Sequence, residues 1–130
     1  MALVIVDASV LIGFLDSTDR HHRRAVAALT ASRNASLFVP ASAYAEILVG
    51  PARRGEETMA SVDEAMAALA IHVEPVTREI ARRAAALRAG HASLRLPDAL
   101  VLATADVLAA AAVLTADRAW PRISPRARVI

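Results

Sequence analysis

An apolar run that ends in a carboxylate opens the chain and constrains its fold more than any other feature. Leu3 to Val6 are all apolar and mostly β-branched, and Asp7 follows directly. Such a run predicts a buried strand of a parallel sheet with a charged residue at its carboxyl end. In open α/β sheets, ligands bind in the crevice outside the carboxyl ends of the strands. The sequence therefore predicts that Asp7 faces a cleft.

A second stretch repeats this pattern late in the chain, where the largely apolar residues 112–116 are followed by Asp117. An ionised carboxylate beside a buried strand is costly unless it is paired, caps a helix or binds a metal. For Asp7 or Asp117 alone, helix capping and metal binding both remain open. Because both residues follow strands, we favour a metal site for the pair.

Two further acids lie near the starts of predicted helices between these strands. Glu46 stands in the otherwise apolar segment 43–49, so we expect it to be buried and a functional candidate. Asp98 follows Pro97 in the first turn of a helix, where the helix dipole favours any acid. Alone, Asp98 is explained by capping.

Four carboxylates around one crevice would repel one another, and one or two divalent cations with oxygen ligands relieve that repulsion. We therefore expect Mg²⁺ or Mn²⁺ at a site formed by Asp7, Glu46, Asp98 and Asp117. Such a site makes a water nucleophilic and stabilises charge on a phosphate. The predicted chemistry is hydrolysis of nucleic acid.

Other polar residues fit this site less well or play a supporting part. Asp106 lies two helical turns beyond Asp98, about 12 Å along the axis, which is too far to share a metal. Asp16 follows the first predicted helix and is expected at the opposite end of the sheet. Ser9 and Thr115 are suited to orienting a ligand or a metal-bound water by hydrogen bonds, although capping or turn roles fit them equally.

Arginine supplies all 15 basic residues, and no lysine occurs. This excludes phosphate-loop nucleotide hydrolases, haloacid-dehalogenase-type phosphatases and phospho-receiver domains, all of which need a lysine near their phosphate. The arginines instead offer a phosphate-binding surface without sequence preference. Those expected near the active edge are Arg53, Arg54, Arg95 and Arg118, and those expected on a solvated helix face are Arg82, Arg83 and Arg88.

The length of 130 residues and the 56% hydrophobic content fit a single domain, residues 1–130, with one core. Strands are predicted at 3–7, 37–39, 71–73, 112–117 and 128–130, and helices at 8–15, 20–32, 58–69, 77–90 and 97–107. Another helix is predicted from Ser42 to Gly50 and Pro51, followed by a basic loop at 53–55. This alternation predicts an α/β fold with a parallel sheet of four to five strands covered on both faces.

The same sequence sets expectations for location. Acids interrupt every apolar run well before the roughly 20 residues that a membrane-spanning helix needs, and we see no signal peptide. The chain has no cysteine, so we expect neither disulfides nor thiolate metal ligands and expect the protein in the cytoplasm.

The order of the acidic motifs resembles that of a PIN domain and, more narrowly, of the VapC toxins of type II toxin–antitoxin pairs. The matching motifs are Asp7-Ala-Ser-Val-Leu, the helical Glu46, Leu96-Pro-Asp98-Ala-Leu-Val-Leu-Ala-Thr-Ala and Leu114-Thr-Ala-Asp117-Arg-Ala-Trp. Trp120 stands where the family usually has phenylalanine. The resemblance covers essentially the whole chain and identifies the four acids as the family's acidic quartet.

This resemblance implies a three-layer α/β/α fold and an Mg²⁺- or Mn²⁺-dependent endoribonuclease that acts on RNA. It also implies a homodimer and a VapB-type antitoxin, whose tail occupies a groove of the toxin and which brings the pair to operator DNA. Two alternatives remain open from the sequence. One is a non-catalytic RNA- or protein-binding module of the same fold, and the other is a metal-dependent phosphatase of small phosphate esters.

Overall fold

A five-stranded sheet, in which every paired strand is parallel, organises the computed structural model, which describes residues 1–130. The strands are β1 (Leu3–Val6), β2 (Ser36–Pro40), β3 (Ile71–Glu74), β4 (Ala112–Thr115) and β5 (Ala127–Val129). Their order across the sheet is β3-β2-β1-β4-β5. The predicted parallel sheet is confirmed, with five strands.

Six α-helices connect the strands, and a short 3₁₀ helix, Trp120–Arg122, precedes β5. The helices are α1 (Ala8–Leu15), α2 (His22–Ala31), α3 (Ala41–Arg54), α4 (Glu56–Ala68), α5 (Arg78–Gly90) and α6 (Leu96–Val107). The chain crosses the sheet one way from β1 to β3 and the other way from β3 to β4. Because such crossovers are right-handed, α1–α4 cover one face and α5 and α6 the other. The three-layer α/β/α architecture is therefore confirmed.

This topology creates a switch point between β1 and β4. The chain leaves β1 towards β2 but leaves β4 towards β5, although β1 and β4 are neighbours, with Val6 opposite Leu114. The backbone N–H of Asp7 extends the pairing by donating to the carbonyl of Leu114 at 2.9 Å. Ligands bind at such switch points, outside the carboxyl ends of the strands.

The core lies on both faces of the central strands. Ile5, Val6, Val39 and Val113 are fully buried, which explains why their strands read as continuous apolar runs. Trp120 is also buried and is among the largest core side chains. None of the helices combines the length and the apolarity needed to cross a membrane.

The predicted end of the third helix at Gly50 and Pro51 is wrong, because α3 continues to Arg54. A proline within a helix costs about 3 kcal/mol, but here it removes one hydrogen bond near the end of a helix that packs against α1, α4 and β2. The predicted basic loop is wrong for the same reason. Arg53 and Arg54 form the last turn of α3, where the helix dipole stabilises positively charged side chains.

A single glycine separates α3 from α4. Gly55 has φ 118° and ψ 176°, a conformation essentially restricted to glycine. Glu56 and Glu57 then occupy the first turn of α4, where acids are stabilised, so this helix begins two residues before the predicted Thr58. A sharp turn at the single residue Gly55 therefore connects α3 to α4, in place of the predicted loop.

Candidate active site

Asp7 and Asp117 lie at the switch point, as the sequence predicts. Asp7 directly follows β1 and is buried, whereas Asp117 lies just beyond β4 and is exposed. Because β1 and β4 pair in parallel, their carboxyl ends meet at one edge of the sheet. The two strand-end acids therefore share one crevice.

The carboxylate of Asp7 accepts three hydrogen bonds. Its Oδ1 accepts a hydrogen bond from the backbone N–H of Ala8 at 2.8 Å, which caps α1. Its Oδ2 accepts from the Ser9 hydroxyl at 2.7 Å and from the Thr115 hydroxyl at 3.0 Å. Burial nevertheless raises the pKa of Asp7 above its usual value, because these hydrogen bonds do not fully replace lost hydration. Asp7 both caps a helix and faces the crevice.

The same two hydroxyls also fix the loop after β4. Ser9 Oγ accepts from the backbone N–H of Ala116 at 3.0 Å, and Thr115 Oγ1 accepts from the N–H of Asp117 at 3.1 Å. The start of α1 and the end of β4 are thus joined through side chains. Sequence reasoning singled out Ser9 and Thr115 but did not assign them to Asp7, because no local pattern shows that β1 and β4 are neighbours.

Glu46 comes from the second turn of α3, and its predicted burial is wrong because the residue is exposed. The core of α3 is formed by Ala43 and Ile47 instead, which leaves Glu46 on another face of the helix. Partial shielding of its carboxyl from water raises the pKa of Glu46, and the negative charges of Asp7 and Asp98 raise it further. Glu46 therefore lies within electrostatic reach of the crevice.

Asp98 lies in the first turn of α6 and is half-buried. Burial raises the pKa of Asp98, the Arg95 guanidinium opposes this rise, and the charge of Asp117 adds to it. Asp98 also contributes to the raised pKa of Asp7. The charges of Asp7, Asp98 and Asp117 thus each raise the pKa of another of the four acids, and Glu46 is among the acids affected.

The donor chemistry of this crevice fits a hard divalent cation. Carboxylate oxygens are the ligands that Mg²⁺ and Mn²⁺ prefer, and a cation would offset the burial and the lesser mutual repulsion that raise these pKa values. No three acidic or histidine side chains already stand together as a complete ligand cluster. The fit therefore lies in the type and placement of the donors and not in a preformed cage.

Arg95 lies at the edge of this crevice. Its Nε is 3.5 Å from Oδ2 of Asp98, and its side chain is 75% exposed. It is the residue that precedes α6, with extended backbone angles. Among the arginines expected near the active edge, Arg95 is the one in an ion pair with a predicted site residue.

Two further acids, Asp106 and Asp16, have partners of their own. Asp106 forms ion pairs with Arg83 at 2.9 Å and Arg126 at 3.4 Å, which gives it a structural partner at the far end of α6. Asp16 caps the carboxyl end of α1 and accepts from Thr18. These hydrogen bonds, with smaller contributions from nearby positive groups that include Arg54, lower the pKa of Asp16. Arg54 also lines a groove together with Asp16 and Glu46.

A groove of about 640 Å³ runs between α1, α3 and α4. Glu46, one of the four predicted site acids, is part of its wall. Ile12, Leu15 and Val62 supply apolar surface, and Asp16 and Arg54 supply charge. The groove therefore has the mixed lining that suits a segment of polypeptide.

The sequence profile of the PIN domain matches residues 4–124 of this chain. No curated protein sequence matches it.

Solved structures with the same fold include several toxin–antitoxin proteins. A toxin–antitoxin complex from Klebsiella pneumoniae aligns with TM-score 0.80 and 25% identity over 97% of this chain and 96% of that chain. VapC20 from Mycobacterium tuberculosis, a toxin that cleaves the sarcin–ricin loop, aligns with TM-score 0.69 and 18% identity over 85% and 86%. VapBC2 from Rickettsia felis, bound to a promoter DNA fragment, aligns with TM-score 0.75 and 13% identity over 98% and 97%.

Proposed function

Because the chain belongs to the PIN domain family, we propose that it is the toxin of a type II toxin–antitoxin pair and a divalent-metal-dependent endoribonuclease. One observation carries this proposal. The neighbouring strands β1 and β4 lead into Asp7 and Asp117 at one edge of the sheet, the charges of Asp7 and Asp98 raise the pKa of Glu46, and the charge of Asp117 raises that of Asp98. The Klebsiella pneumoniae toxin–antitoxin complex, similar over nearly the whole chain, supports the toxin assignment.

Each acid has a distinct part in this proposal. Asp7, fixed by Ser9 and Thr115, provides the rigid carboxylate of the site. Asp98 and Asp117 complete the metal-binding set from the start of α6 and the end of β4. Glu46, an exposed acid on α3, would ligate the ion or orient the attacking water.

When bound, Mg²⁺ or Mn²⁺ would make a water nucleophilic and stabilise charge on the phosphate. The residues of the chain position the reactants for this chemistry. Hydrolysis forms a bond between the water oxygen and phosphorus and breaks the bond to the leaving oxygen, which takes a proton. The chain has no cysteine to act as a nucleophile, and a carboxylate site of this kind requires none.

We further propose a VapB-type antitoxin as the partner, with its tail in the groove between α1, α3 and α4. The groove supports this because its lining includes apolar side chains and Glu46, so an occupant would lie beside one of the four acids. Contact with operator DNA would occur through the antitoxin. The homodimer that the family resemblance implies is part of the same proposal.

Cleavage of RNA by the purified protein, freed of any partner, tests the proposed function. Total RNA is incubated with the wild type in Mg²⁺ or Mn²⁺, with and without EDTA, beside Asp7→Asn. Glu64→Gln is the matched control, because Glu64 is an exposed acid on α4 outside the quartet. We expect discrete fragments from the wild type and the control, and none from Asp7→Asn or in EDTA.

Two results would overturn the nuclease proposal. Cleavage by Asp7→Asn at the wild-type rate would show that the quartet is not the active site. If the wild type and Asp7→Asn both bind RNA but neither cleaves it in Mg²⁺ or Mn²⁺, the result would instead favour a binding module of the same fold.

A further inference from the structure

We propose that Arg95 is a phosphate-binding residue that changes partners: it pairs with Asp98 in the metal-free protein and binds an RNA phosphate once a cation occupies the carboxylates. This inference rests on the proposed function, since it takes RNA as the substrate. It adds to the acidic quartet a positively charged residue that touches the substrate.

The position of Arg95 supports this role. Its Nε lies 3.5 Å from Oδ2 of Asp98, and its charge also lowers the pKa of Glu46, so the guanidinium lies near two acids of the crevice. These acids come from α6 and α3. Arg95 therefore lies exposed beside two of the acids where a substrate phosphate would bind.

Because the Arg95–Asp98 ion pair is weak, little free energy is lost when Arg95 changes partner. The Arg95 side chain is 75% exposed and that of Asp98 is 20% exposed, so water screens the pair. Arg83 offers a contrast, because its side chain is 48% exposed and its Nε donates to Asp106 at 2.9 Å. Arg83 is held in place, whereas Arg95 is held loosely.

A cation and the Arg95 guanidinium compete for the same carboxylate. An ion bound to Asp98 supplies the positive charge that Arg95 provides in its absence and repels the guanidinium. The released guanidinium can then donate two parallel N–H hydrogen bonds to two oxygens of an RNA phosphodiester. Arg95 would therefore weaken metal binding and strengthen RNA binding.

These opposite effects give the test. Mn²⁺ binding is measured by calorimetry for the wild type, Arg95→Met and Arg95→Lys. Methionine keeps an unbranched apolar side chain without charge. We expect Arg95→Met to bind Mn²⁺ about two- to fivefold more tightly, the gain expected from losing one screened competing charge, and Arg95→Lys to resemble the wild type.

RNA binding is measured separately from cleavage. A short fluorescein-labelled single-stranded RNA of mixed sequence is titrated by anisotropy in Ca²⁺ at several salt concentrations, with its integrity checked on a gel. We expect Arg95→Met to bind this RNA more weakly, and its slope of log affinity against log salt to be shallower by about 0.7, the value for one lost phosphate contact on a single strand. Arg82→Met, which removes an exposed arginine on α5, should leave Mn²⁺ affinity and this slope unchanged.

The outcomes separate this inference from the proposed function. Tighter Mn²⁺ binding together with weaker, less salt-dependent RNA binding supports the role of Arg95. Either effect without the other, a loss of both affinities, or no change in either overturns it. Asp7→Asn is titrated with Mn²⁺ in parallel, and wild-type affinity in that variant would overturn the proposed metal site itself.

Discussion

Thr115 connects two of the four proposed metal ligands through one hydroxyl, which donates to Asp7 and accepts from the N–H of Asp117. Thr115→Val keeps the shape of the side chain but removes both hydrogen bonds. We expect it to lower the rate of RNA cleavage by about 10- to 100-fold, as loss of a group that orients a metal ligand does. We also expect a loss of about 1–3 kcal/mol in the free energy of unfolding, because the hydrogen bond to Asp7 is buried and the one from Asp117 is partly buried.

Initial rates of RNA cleavage and urea unfolding check this prediction. Thr104→Val is the control, because Thr104 is equally buried but its hydroxyl donates only to the carbonyl of Leu100. Thr115→Ser should recover most of the rate, since it restores the hydroxyl. Equal rates for Thr115→Val and Thr104→Val would contradict the positioning role.

The charge of Asp7 should destabilise the metal-free protein. Burial raises the pKa of Asp7 in the folded state, so folding favours its protonated form. Its contribution to stability is therefore present below the unfolded pKa of about 3.9 and is lost as the pH rises through the higher folded value. At neutral pH in EDTA, we expect Asp7→Asn to melt at a higher temperature than the wild type, since asparagine caps α1 equally well.

Thermal unfolding followed by circular dichroism over a range of pH checks this sign. The amount by which the melting temperature of Asp7→Asn exceeds that of the wild type should shrink as the pH falls towards the unfolded pKa. A wild type that melts higher than the variant at neutral pH would show that the hydrogen bonds from Ser9 and Thr115 outweigh the cost of burial.

Residues that follow strands were predictable, whereas their partners were not. Asp7 and Asp117 could be placed because an apolar run that ends in an acid has one common meaning in a parallel sheet. The exposure of Glu46 could not, because the apolar residues around it include both the core face of α3 and residues that stay exposed. Which face of such a helix is buried depends on the elements that pack against it, and a local stretch of sequence does not show these.

At the level of elements, Gly55 sets the angle between α3 and α4. A β-carbon at Gly55 would meet no atom within 4 Å, so its φ of 118° is the sole obstacle to substitution. We expect Gly55→Ala to lower the free energy of unfolding by about 1–3 kcal/mol through backbone strain. Urea unfolding measures this loss.

Gly90 provides the matched control, since it also has open space but lies in the last turn of α5 without a positive φ. Gly90→Ala should stabilise the protein by about 0.5–1 kcal/mol, because alanine favours the helix. If both variants changed stability in the same direction, the strained connection between the helices would be refuted.

The elements themselves were largely predictable, and the main errors have one cause. Strand and helix order follow from runs of apolar residues and capping signals, such as Thr77, whose side chain caps α5. Local preference disfavours proline within a helix, so the sequence predicts that the helix ends at Pro51. Packing of α3 against its neighbours overrides that preference, and such packing is not visible in a local stretch of sequence.

At the level of the whole molecule, strand order brings distant acids together. A bound cation would join β1, β4 and α6 through their carboxylates, so metal binding should stabilise the fold. At a Mn²⁺ concentration of 100 times the dissociation constant, we expect about 2.7 kcal/mol of added stability. Thermal melts should show this shift for the wild type and for Glu64→Gln, and a much smaller shift for Asp117→Asn. Equal shifts in all three proteins would place the ion outside the quartet.

The most direct test of the central claim is an anomalous difference map from crystals of the protein soaked in MnCl₂. The account predicts a manganese peak in the crevice between β1 and β4, ligated by carboxylate oxygens of Asp7 and of at least one of Asp98 and Asp117. Crystals of Asp7→Asn should lack this peak. Manganese bound only elsewhere on the wild type, with the four carboxylates free, would contradict the account.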